Sequence, residues 1–161
     1  MAGAEIFNSD EIRAVADVIE RKMIHRYGSH DSRGGIYRAE DFEEKAKRLT
    51  GSKYALALSS GTAALITALK GICIKPGDEV ITSPFTFIAT VEAIVACDAV
   101  PVFGELDETL SLDAASAEKL VTPRTKAIMP VHMFGVAADM DKFAALGEKY
   151  GIPIVEDACE V

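Results

Sequence analysis

The chain has 161 residues, 49% hydrophobic and 26% charged, with a formal net charge of −8 and three cysteines. That length builds one domain with a real core, and the composition is that of a folded globular chain rather than a disordered one. The acidic balance without a Lys/Arg patch excludes a nucleic-acid partner, and no apolar run reaches bilayer-spanning length. Cys73, Cys97 and Cys159 are too few and too scattered for a disulfide framework or a metal (zinc) site. The N-terminus Met1-Ala2-Gly3-Ala4-Glu5 lacks a signal peptide's basic and apolar regions. The expectation is a cytoplasmic chain with reduced thiols, each a small buried apolar residue.

In chain order, Asn8-Ser9-Asp10 caps a helix running to about residue 23, with Ile12, Val15, Ala16 and Ile19 on one face. Residues 25–35 are polar and glycine-bearing and are expected to form a loop. Residues 41–49 predict a second helix, with Phe42, Ala46 and Leu49 on one face. From there strands and helices alternate. Strands are expected at 54–58, 79–82, 99–103, 127–131 and 152–155, and helices near 62–70, 87–97, 114–121 and 139–150. Near-continuous apolar strands separated by helices predict an α/β fold, a mostly parallel sheet with helices on both faces. The turns are well marked by Lys75-Pro76-Gly77-Asp78, by Thr122-Pro123-Arg124 and by Gly151 after the last helix.

Open α/β sheets bind ligands at the carboxyl ends of their strands. The first such end is Ser59-Ser60-Gly61-Thr62, where an apolar segment turns into a helix whose free N–H groups and dipole favour an anion. The others are Ser83-Pro84-Phe85-Thr86-Phe87, His132 to Gly135, and Glu156-Asp157. A carboxylate at the end of a buried strand needs a cation or donors, and a protonated ring nitrogen is such a partner. An anion cradle, a flat aromatic and a buried carboxylate together describe a site for pyridoxal phosphate.

Seven motifs then occur in one order: Ser59-Ser60-Gly61-Thr62-Ala63-Ala64-Leu65, Pro76-Gly77-Asp78-Glu79-Val80-Ile81, Pro84-Phe85-Thr86-Phe87, Val100-Pro101-Val102-Phe103, Thr122-Pro123-Arg124-Thr125-Lys126-Ala127-Ile128, Val131-His132-Met133-Phe134-Gly135 and Glu156-Asp157-Ala158. Over nearly its whole length the chain resembles the DegT/DnrJ/EryC1/StrS family of pyridoxal-phosphate-dependent sugar aminotransferases. That resemblance implies an incomplete large domain of the fold type I (aspartate aminotransferase) architecture, with strand order 3-2-4-5-6-7-1. Residues 1–35 would be an N-terminal helix and substrate-side loop, and 36–161 the N-terminal part of the cofactor-binding domain. It further implies that Gly61 and Thr62 bind the phosphate, that Phe87 stacks on the pyridine ring and that Asp157 pairs with its nitrogen. The alternatives from packing alone are a helix cap for Thr62, a core aromatic for Phe87 and an N-cap for Asp157. His132 is assigned no role, since a strand-end histidine bonded to backbone is an equal reading. For His25-Arg26-Tyr27, pocket-shaping in the family and a plain solvated loop stand even.

Two departures from the family pattern matter. Glu160 stands three places after the aspartate, where Gln or His is usual, and a carboxylate there repels Asp157 and a phosphate unless it points away. The Schiff-base lysine of the family lies on the loop after the next strand, beyond Val161, and none of the ten lysines present holds that motif position. No catalytic residue is therefore expected within the chain. The resemblance implies a homodimer acting on a keto sugar with an amino-acid donor such as glutamate, and allows a complementary C-terminal polypeptide as partner. Two other readings remain: a sugar dehydratase of the same family, and a non-catalytic remnant or interaction module. The strand at 54–58 is expected to lack an inner neighbour and to leave an open apolar edge.

Overall fold

In the computed structural model, which describes residues 4–26 and 33–161, the chain divides into two compact units, Met1–Ala57 and Leu58–Val161. The first unit opens with a single 3-10 turn, Ala4–Ile6, followed by helix α1, Ser9–Glu20. Asn8 caps α1 as expected: its side chain accepts from the Asp10 N–H, and Glu11 accepts in return from the Asn8 N–H at 2.7 Å. The helix stops short of Met23 because Lys22 turns to φ 55°, with Met23 N–H closing back on the Val18 carbonyl at 3.0 Å. Helix α2, Arg38–Thr50, ends on Gly51, whose φ of 70° is left-handed. The apolar faces expected on both helices exist but are exposed, at Ile12, Val15 and Ile19 on α1 and at Phe42 and Leu49 on α2. The buried residue of α2 is instead Glu43, which accepts from an Arg26 N–H and from the Ala57 N–H, each at 2.7 Å. Those donors, Arg26 first, hold its carboxyl below the ordinary Glu range. Of the expected loop, Tyr27 and its neighbours to 32 lie outside the described residues.

The second unit runs α3 (Gly61–Gly71), β1 (Glu79–Thr82), α4 (Ile88–Val95), β2 (Val100–Phe103), α5 (Ala114–Lys119), β3 (Thr125–Met129) and α6 (Met140–Tyr150). The three strands form a parallel sheet in the order β2-β1-β3. Alternation along the strands sorts side chains to the two faces. Val80, Ala127 and Met129 meet Leu65 and Leu69 of α3 and Ile94 of α4, while Ile81 and Ile128 meet Ala117 of α5 and Phe143 and Leu146 of α6. Helices thus cover both faces, and each fully buried aliphatic contributes on the order of 1.5–3 kcal/mol.

The strand expected at 152–155 is present only as bridges. Residues 152–157 run parallel to β3 through Ile128↔Ile154 and Val131↔Asp157, held by Ile128 N–H to the Pro153 carbonyl and Val155 N–H to Ile128. The next ladder bond requires an N–H at position 130, and Pro130 has none, so the ladder breaks before Asp157 N–H resumes it on the Pro130 carbonyl. Taking that segment as the fifth expected strand, the spatial order 3-2-4-5 is the one foreseen. The expected strand at 54–58 is not one. Among the described residues it makes no ladder pairing, and Tyr54, Leu56 and Leu58 are exposed; an extended segment without a neighbour has no ladder to join. The cysteines also depart from expectation: Cys97 is buried, its thiol pushed up by that burial, whereas Cys73 and Cys159 are exposed.

Candidate active site

The site lies wholly within the second unit, where α3 begins, α4 begins and the 152–157 segment ends. Ser60 caps α3, its Oγ accepting from the Ala63 N–H at 3.1 Å. Thr62 is therefore not the cap; it sits one residue inside the helix with Gly61 before it. Among the described residues the N–H groups of Gly61 and Thr62 donate to no protein acceptor, so the positive end of the helix is open. Gly61 lies close to Cys159: a Cβ there would stand 2.8 Å from the sulfur, which would have to turn away.

Phe87 takes the N-cap position of α4 with extended dihedrals and no side-chain cap. It is 64% exposed, which rules out the reading as a core aromatic. Asp157, by contrast, is 3% exposed. Its backbone is pinned to the neighbouring strand end by bonds to the Pro130 carbonyl and from the His132 N–H, each 3.0 Å. Its side chain caps no described helix. Oδ2 accepts from the Thr90 hydroxyl at 2.6 Å and Oδ1 from the Cys159 N–H at 3.2 Å. Thr90, itself buried, lies 2.6 Å from the Thr86 hydroxyl. Since Thr90 gives its proton to the carboxylate, Thr86 is the donor to Thr90. No cationic side chain pairs with Asp157 among the described residues.

Gly61, Thr62, Phe87 and Asp157, singled out from the sequence, line one cavity of about 210 Å³ together with Thr86, Thr90, Cys159 and Glu160. Thr86, Thr90 and Cys159 were not foreseen. The two threonines stand four apart across the start of α4, beside Phe87, and that spacing on one helix face was the available signal. The Cys159 thiol is pushed up to about 11, first by partial loss of solvent around its sulfur and then by Asp157 and Glu160. Glu160 lines the cavity, and its carbonyl accepts from the Gly135 N–H at 3.0 Å.

His132 is not part of the cavity lining. It is buried, and its Nδ1 accepts from the Ala138 N–H at 3.1 Å. Its proton is then on Nε2, which donates to Glu156 at 3.1 Å. This is the backbone-bonded strand-end histidine, tying residue 138 to the strand end.

A buried carboxylate with neutral donors only, an open helix N-terminus, a hydroxyl and an exposed ring fit an anionic, aromatic, cationic-nitrogen ligand such as pyridoxal phosphate. Residues 6–161 match the model of the DegT/DnrJ/EryC1/StrS aminotransferase family. The spore coat polysaccharide biosynthesis protein SpsC of Bacillus subtilis (strain 168) is 41% identical over 154 residues, 95% of this chain and 37% of that protein. Among solved structures, 3-amino-5-hydroxybenzoic acid synthase superposes with a TM-score of 0.87 at 35% identity, over 96% of this chain and 39% of its own. GDP-4-keto-6-deoxymannose-3-dehydratase with a trapped PLP-glutamate geminal diamine gives 0.79 at 25% identity, over 96% and 39%. The chain thus spans about two fifths of the length of these relatives. Its α/β architecture is that of part of a fold type I large domain. The chain belongs to the DegT/DnrJ/EryC1/StrS aminotransferase family.

Proposed function

We propose that this chain is the N-terminal part of a pyridoxal-phosphate-dependent aminotransferase that moves an amino group from an amino acid, glutamate in the simplest case, to a keto sugar. The observation that carries the reading is Asp157: 3% exposed, hydrogen-bonded by Thr90 and Cys159, without a cationic partner among the described residues, on the wall that also holds Gly61, Thr62 and Phe87. Likeness to a spore coat polysaccharide protein supports a sugar substrate for a surface polysaccharide. In this reading residues 36–161 are the N-terminal part of the cofactor-binding domain, and the working enzyme is a cytoplasmic homodimer.

When bound, pyridoxal phosphate supplies an electron sink for breaking a bond beside the amine. The residues of this chain would do the rest of the holding. The Gly61 and Thr62 N–H groups and the Thr62 hydroxyl would bind the phosphate. Phe87 would cover one ring face and exclude water from it. Asp157 would hold a proton on the ring nitrogen, which a neutral neighbour would release. Among the described residues no lysine lines the cavity, and residues 1–161 are proposed to hold the cofactor without covalent attachment. The rest of the catalytic machinery would come from further polypeptide, whether in the same chain or a complementary one.

The dehydratase similarity favours one second reading, a sugar dehydratase built on the same cradle. Grafting residues 1–161 onto the remaining length of SpsC tests both. With ¹⁵N-glutamate and nucleotide-linked keto sugars, the cofactor-loaded graft is expected to give ¹⁵N-labelled amino sugar by mass spectrometry. A deoxygenated product without nitrogen would select the dehydratase, and a cofactor-loaded graft with neither product would contradict the proposal.

A further inference from the structure

We infer that Thr90 is a positioning residue for the Asp157 carboxylate, and that Thr86→Thr90→Asp157 is a one-way hydrogen-bond relay. It sets which carboxylate lone pairs remain for a ligand's protonated ring nitrogen. This rests on the reading of the cavity as a pyridoxal-phosphate site. The geometry is closed on three sides. Thr90 Oγ1 lies 2.6 Å from Oδ2, Thr86 Oγ1 lies 2.6 Å from Thr90, and the Cys159 N–H reaches Oδ1 at 3.2 Å. Thr90 is 1% exposed, and both partners of its hydroxyl are protein groups, Thr86 and Asp157.

Direction follows from chemistry. An ionised carboxylate only accepts, so Thr90 must donate to it, and its remaining lone pair then accepts from Thr86. Each bond polarises the next. With Thr90 and the Cys159 N–H both donating to it, the carboxylate is held in one orientation on the wall of the cavity that Asp157 lines. A simple packing role for Thr90 would need its methyl group and not its hydroxyl. The titratable groups facing this carboxylate from the lining are Cys159 and Glu160.

Pyridoxamine 5′-phosphate is the probe, since it needs no lysine. Its affinity for the 161-residue chain is read by fluorescence and its ring-nitrogen protonation by ultraviolet spectrum against pH. Thr90→Val keeps the shape and removes the hydroxyl. It is expected to weaken binding about tenfold, the order of one lost hydrogen bond to a charged group, and to shift the pH at which the bound ring nitrogen loses its proton. Thr90→Ser keeps the hydroxyl and is expected to stay within about twofold of the parent. Thr86→Val, less buried and a safer fold, is expected to move both readouts in the same direction by a smaller factor. Equal behaviour of the Val and Ser variants, or an unmoved ring-nitrogen titration in Thr90→Val and Thr86→Val, overturns the relay. Asp157→Asn separates the two levels. If it too leaves both readouts unchanged, the cofactor reading fails; if it changes them while the threonine variants do not, the relay alone fails.

Discussion

Helix α1 in the first unit and helix α6 in the second are built on the same plan, a capped segment of 12 or 11 residues with one apolar face. Helix α6 buries Phe143 and Leu146 against Ile81 and Ile128 of the sheet, and among the described residues α1 has none that is fully buried. Amphipathic spacing therefore supplies a face but not its cover. In the second unit the cover comes from strands whose own alternation serves helices on both sides. The first unit instead buries a charge, Glu43, and completes it with Arg26 and a backbone N–H.

If that contrast is right, substitutions in the two units should differ in scale. Phe143→Ala removes a ring with no exposed surface and is expected to cost about 3–5 kcal/mol in urea unfolding. A cost near zero would mean that the second unit is not packed around α6. Gly147→Ala comes next. Its Cβ would meet the Ile152 backbone carbonyl at 2.8 Å, and a rigid neighbour of that kind makes a loss of about 1–3 kcal/mol the expected outcome.

Buried carboxylates give a pH-dependent version of the comparison. Thr122 and then Arg124 hold the Glu79 carboxyl below its ordinary 4.5. A lowered folded value means that the stabilisation is present above pH 4.5 and is lost as pH falls through the folded value. Glu79→Gln should flatten that acid limb of a stability–pH curve, and Glu43→Gln should do the same for the first unit. Curves parallel to the parent's would show that neither pairing matters. The smallest effect belongs to α1: Ile12→Ala, at a position 71% exposed, should change the unfolding free energy in urea by less than about 0.5 kcal/mol. A larger loss would reveal cover on that face.

Helix positions and the parallel sheet were legible because caps, glycine stops and apolar runs are local signals. Asn8 and Gly151 begin and end a helix where they were expected to. Pairing is not local. Residues 54–58 have strand composition but no ladder, and Pro130 splits the last ladder into bridges. The site divides the same way. Gly61, Thr62, Phe87 and Asp157 were legible through the family motifs that contain them, and the cavity gathers all four. Thr90 was hidden because a threonine one turn into a helix is unremarkable until a carboxylate 67 positions away is seen to accept from it.

The second unit alone is proposed to form a cradle for a pyridoxal-type phosphate. Titrating ¹⁵N-labelled chain with pyridoxamine 5′-phosphate and mapping amide shifts tests it most directly. The account predicts that the largest saturable shifts fall on Gly61, Thr62, Thr90 and Cys159, with the Gly61 and Thr62 shifts also produced by inorganic phosphate. Shifts scattered outside this set, or none at saturating ligand, would contradict it.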